Sequence, residues 1–155
     1  MTHLDADEVA GVVDLFGALT REEVCRALEE LAFKRGDDPE EVDADAALDD
    51  AVESYHLVEV ESDPPTYAVG PVAFPTLPTG AEDLPHILDV ETRPVDRESV
   101  ARDVEERLRA ETARAVAAED EERIAHLLDV TYDLEAWAAV DVSGVRDRLD
   151  TVDND

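Results

Sequence analysis

Lysine is nearly missing from this sequence. Lys34 stands alone, and the other twelve of the thirteen basic residues are arginine. Cysteine is as scarce: Cys25 is the only one, which excludes an intrachain disulfide and any multi-cysteine metal site. It lies among Val24, Ala27 and Leu28 in a helical pattern, so a buried, inert thiol is expected. The few glycines form neither a phosphate-cradling loop nor a nucleophile elbow, since Ser143-Gly144 alone does not make one. His3, His56, His86 and His126 are scattered without HExxH spacing, and Glu122 with His126 lacks a second histidine or cysteine. No apolar run approaches the ~18 residues of a membrane span. The opening MTHLDADEVAG has neither the basic nor the apolar region of a secretion signal. These absences predict no enzyme, no cofactor, no metal site and no membrane association, in a chain that stays in the cytoplasm.

What is abundant is acid. Forty-two Asp and Glu oppose the thirteen basic residues, for a formal charge of -29. Hydrophobic residues still make up 44%, enough for a folded core rather than a disordered chain. A surface that has exchanged Lys for Asp, Glu and Arg fits a cytoplasm of molar salt. At about 0.1 M salt its charges repel over ~10 Å, whereas at about 1 M the range falls to ~3 Å. The chain is read as halophilic. Because acids are everywhere, no carboxylate pair singles itself out. The segment DADAALDD resembles a calcium loop only in acidity, since it lacks the mid-loop glycine and follows a helical pattern.

Periodicity divides the chain. Val9, Val12, Val13 and Phe16 give a first helix over residues 5–16, with Asp5 and Glu8 as a capping box. Thr20 and Glu23 form a clearer box before a second helix carrying Val24, Leu28 and Leu31, which Gly36 stops. Leu48, Ala51, Val52 and Tyr55 mark a third helix that opens at Asp38-Pro39 or at Asp43. Then LVEV, the turn SDPP and TYAV read as a hairpin. Pro71, Pro75, Pro78, Pro85 and Pro94, with Gly80, exclude a continuous helix or a central strand. Phe74, Leu77, Leu84, Ile87 and Leu88 make this stretch an ordered arm rather than a free linker. A long helix follows, with Val100, Val104, Leu108 and Ala115 on one stripe and Glu105–Arg109 as an i,i+4 pair. A shorter helix is expected around Ile124, Leu127 and Leu128, and Ser143 is the expected cap of a last helix through Val145 and Leu149. The fold class is therefore mostly α with one small β-hairpin. Residues 1–70 form a winged-helix-like domain, 71–95 the proline-rich arm, 96–150 a helical C-terminal region and 151–155 a frayed tail.

Three helices followed by a hairpin is the order of a winged helix, a fold that often reads DNA. Such a reader brings Arg, Lys, Asn or Gln on its second motif helix to base edges, with cations near phosphates. Here residues 37–92 hold sixteen Asp and Glu and no Arg or Lys. Molar salt weakens the repulsion of DNA, but it also weakens the gain from counterion release. Nucleic acid is not the expected partner. The alternative is a winged-helix transcriptional regulator that contacts DNA through Arg21, Arg26, Lys34 and Arg35.

The stretches LTREEVCRALEELAFKRG, VESYHLVEV, VGPVAFPTLPTGAEDLPHILDV and LLDVTYDLEAWA resemble an uncharacterised haloarchaeal protein family over nearly the whole chain. That resemblance implies a halophilic archaeal cytoplasm and brings no activity or functional residues with it. A looser resemblance to winged-helix domains covers residues 5–70. There GDDPEEVD is longer than the ~3 to 4 residues of a typical helix-turn-helix turn. The leading expectation is a nonenzymatic protein-interaction or regulatory module that binds a protein partner or itself. Phe74, Leu77, Ile87 and Trp137 are its candidate contact residues.

Overall fold

In the computed structural model, residues 5–36, 38 and 43–153 are described. They form seven helices and one three-stranded antiparallel sheet, which bears out a mostly α fold with a small hairpin. The chain divides into two compact units, Met1–Val95 and Asp96–Asp155, so the proline-rich arm falls within the first unit.

The first unit opens with α1 (Ala6–Asp14), β1 (Ala18–Thr20) and α2 (Arg21–Lys34), followed by α3 (Ala44–Glu53), β2 (Leu57–Val60), β3 (Thr66–Val69) and α4 (Leu84–Leu88). Both capping boxes form as expected, with Asp5 accepting from Glu8 N–H at 2.8 Å and Thr20 Oγ1 from Glu23 N–H at 3.2 Å. Gly36 follows α2 at φ +81°. Asp43 caps α3, so of the two openings the sequence allowed, this one is used. The other, Asp38-Pro39, includes Pro39, which lies outside the described residues.

Tyr55 departs from the expected helical stripe. The helix ends at Glu53, and Tyr55 takes φ 66°, with its own N–H bonded to Val52 O and the next N–H, that of His56, to Ala51 O. This is a Schellman closure with tyrosine where glycine is usual. The ring is fully buried, and core burial offsets the roughly 1–2 kcal/mol strain of the left-handed backbone.

The hairpin pairs Leu57 with Val69 and Val60 with Thr66. The third strand, β1, was not expected. Ala18, Leu19 and Thr20 pair with Ala68, Tyr67 and Thr66, giving the order β1-β3-β2. Three residues carry no legible alternation, and Thr20 had already been claimed by the helix it caps. The core joins Val9, Val12 and Val13 of α1, and Phe16 just beyond its end, to Leu19, Leu28, Leu31, Leu48 and Leu57. Leu84 and Leu88 from the arm complete it.

The second unit consists of α5 (Arg97–Ala118), α6 (Glu121–Trp137) and α7 (Ser143–Asp153). The expected stripe of Val100, Val104, Leu108 and Ala115 is buried, and Arg109 reaches Glu105 at 2.8 Å. Where a shorter helix was expected, α6 runs unbroken for 17 residues, because Thr131 and Leu134 continue its buried face beyond Leu127. Ser143 is the first residue of α7 rather than its cap, and its N–H donates to Asp141 at 2.9 Å. Of the tail expected to fray, residues 151–153 are helical, and Asn154 and Asp155 lie outside the described residues.

Candidate functional site

The four basic residues proposed for DNA stand as follows. Arg21, on the first turn of α2, donates to Asp45 at 2.8 Å and to Asp49 at 2.7 Å, one turn apart on α3. Its guanidinium also lies 5.7 Å from the centre of the Tyr67 ring. Its hydrogen bonds to Asp49 and then to Asp45 hold its pKa above the ordinary arginine range. Lys34 Nζ donates to Gly80 O at 2.8 Å, and Arg35 Nε to Thr79 O at 3.3 Å, so both reach the arm. Arg26 is exposed and makes no ion pair with a described residue. The arginine of α2 nearest the hairpin is thus closed onto the acids of α3.

Cys25 is half-buried rather than buried as expected, because its side of α2 faces the open Arg21–Asp45 pair. Its Sγ lies 3.8 Å from Asp45 Oδ1. Burial first, and then the charge of Asp45, push the thiol up, which disfavours the thiolate.

The candidate contact residues of the arm are exposed on a backbone that is held down. Phe74 is 79% exposed, and Leu77 and Ile87 are 43% exposed each. Phe74 N–H donates to Asp7 Oδ1 at 3.0 Å, and Thr76 N–H to Asp7 O at 3.0 Å. Beneath them is Gly11 of α1, where an added Cβ would lie 2.0 Å from Thr76 O. Ile87 is exposed between Leu84 and Leu88, which are buried. From Pro64 to Ala81 the chain carries no charged residue, although 35% of the whole is charged. Within the second unit, Trp137 is half-buried and the Arg97 guanidinium lies 5.1 Å from its ring centre.

The model of one protein family, described as a family of unknown function (DUF7109), matches residues 7–154. The chain belongs to this family. No curated protein and no solved structure matches it. Among the described residues of this DUF7109 member, no group of three or more His, Cys, Asp or Glu could hold a metal ion. No helix among them is long and apolar enough to cross a membrane.

Sequence reasoning missed the residues that fasten the arm. Asp7 looked like one more acid of a first turn, yet it holds Phe74 and Thr76 and lies 3.4 Å from His56 Nε2. Ser54 Oγ is 2.6 Å from Nδ1 of the same ring. Nor did the sequence single out Arg93. It forks onto Glu23 at 2.6 and 3.2 Å and donates to Ala18 O at 3.0 Å, tying the end of the arm to the start of α2. One signal was legible. A lone glycine inside a helix such as Gly11 is unfavourable by ~1 kcal/mol, which asks for a packing reason. The close approach of Thr76 supplies it.

Proposed function

We propose that this DUF7109 member is a nonenzymatic protein-interaction module of a molar-salt cytoplasm, built on a winged-helix-like first unit that contacts a protein rather than DNA. The element order α1-β1-α2-α3-β2-β3 supports the likeness to a winged helix. The observation that carries the protein-contact reading is Phe74, displayed at 79% exposure on a backbone anchored by Asp7. An aromatic on an anchored backbone loses little backbone freedom on binding, which favours its use as an anchor. The stretch from Pro64 to Ala81 brings no acid of its own to a partner, in a chain that is 35% charged.

Against DNA stand the closure of Arg21 by Asp45 and Asp49 and the exposed Glu59, Glu61 and Asp63 on the hairpin. A surface of this kind has neither base-reading donors nor phosphate neutralisation. The test begins with purification of the tagged chain from its native lysate in about 2 M KCl, where exposed charges are screened. The co-purifying protein is identified and titrated against wild type and the double variant F74S/I87S. The variant should bind at least about tenfold more weakly. Equal affinity for both overturns the contact reading, and a concentration-dependent dimer of the chain alone replaces the partner with a second copy. Labelled duplex DNA in the same salt should show no saturable binding. Saturable binding that disappears in R21A/R26A would establish the regulator instead.

A further inference from the structure

Within the second unit, a cavity of about 200 Å³ lies between the first turns of α5 and the link from α6 to α7. Glu98, Ala101, Arg102, Ala138, Ala139 and Val140 line it. Ala101 is fully buried, and the chain is extended at Ala138. Glu98 and Arg102 are four residues apart on one helix, with the acid nearer the N-terminus, the order in which such residues normally pair. The same helix shows what pairing looks like. Glu105 and Arg109 meet at 2.8 Å, and Arg107 and Glu111 at 3.3 Å. Glu98 and Arg102 have the same spacing, yet no ion pair or hydrogen bond joins their side chains to each other or to any described residue. One anionic and one cationic group thus line a single cavity without pairing.

We propose that this cavity binds a small zwitterion, a free α-amino acid or a betaine, with its carboxylate on the Arg102 guanidinium and its cationic nitrogen on the Glu98 carboxylate. The guanidinium fork matches a carboxylate in two hydrogen bonds, a contact of a few ångströms that molar salt screens less than long-range attraction. A singly charged ligand would satisfy one of the two groups and leave the other without a partner. A volume of about 200 Å³ accommodates a compound of this size.

Titration of the ¹⁵N-labelled full chain in about 2 M KCl, followed through its amide resonances, tests this. L-alanine and glycine betaine are the probes, and acetate and methylammonium are the singly charged controls. Saturable shifts are expected at Ala101, Ala138, Ala139 and Val140 with at least one zwitterion, and whichever of the two binds more tightly identifies the ligand class. Both charged side chains are exposed, so E98Q and R102Q should fold, and each should weaken binding at least about tenfold. The proposal is overturned if neither zwitterion gives a saturable shift, if acetate binds as tightly, or if both variants bind like wild type.

Discussion

Glu23 shows how much one residue can hold. Its Oε1 accepts the Thr20 N–H at 2.9 Å to close the capping box, and both carboxylate oxygens accept from Arg93. Burial alone would push this carboxyl up, but the bonds from Arg93 and Thr20 outweigh it and hold the pKa below its ordinary value. A depressed folded pKa means that the stabilisation is complete above the unfolded value, near 4.5, and is lost as pH falls through the lower folded value. Glu23→Gln should destabilise the chain by about 1 kcal/mol at neutral pH, since Arg93 is partly exposed and its charge is screened. Chemical denaturation across a pH series checks this. The difference between variant and wild type should shrink below pH ~4.5, and a constant difference would remove the charge from the account. The capping half of this role was legible, because Thr20 and Glu23 are three residues apart. The Arg93 half was not, because seventy residues separate the partners.

At the scale of elements, the arm is the instructive case. Its prolines excluded a continuous helix or a central strand, and its apolar residues implied order. Their order in the chain did not tell which of those residues face inward. Leu84 and Leu88 belong to the core, whereas Phe74, Leu77 and Ile87 are exposed. Leu84→Ala should therefore destabilise the fold by about 2–4 kcal/mol. Phe74→Ser should change stability by no more than about 0.5 kcal/mol. Urea midpoints of the two variants separate these roles, and similar losses for both would mean that Phe74 also packs. The hairpin was legible from the strand-favouring residues of LVEV and TYAV and from the SDPP turn. The strand β1 was not, because a three-residue edge strand is defined by its partner β3 and hardly at all by its own pattern.

The whole molecule carries -29 on 155 residues, and its twelve arginines and one lysine cannot neutralise that. Several of those cations are engaged within the chain: Arg21 on α3, Arg93 on Glu23, and Arg146 on Glu135. The remaining acids repel one another unless salt intervenes. On the proposed molar-salt reading, circular dichroism should show helix loss as KCl falls from about 2 M to about 0.1 M, with a falling melting temperature. Unchanged helicity and melting temperature across that range would refute the reading.

The sequence by itself determined the existence of the six longer helices, both capping boxes, the hairpin and the overall charge, because each depends on residues within a few positions of one another or on composition alone. Only the tertiary structure decided that Arg21 closes on Asp45 and Asp49, that Asp7 and Gly11 seat the arm, and that Glu98 and Arg102 remain apart beside one cavity. Those outcomes depend on which of many similar acids the folded backbone brings within hydrogen-bonding distance of a given cation. In a chain with forty-two of them, composition cannot choose.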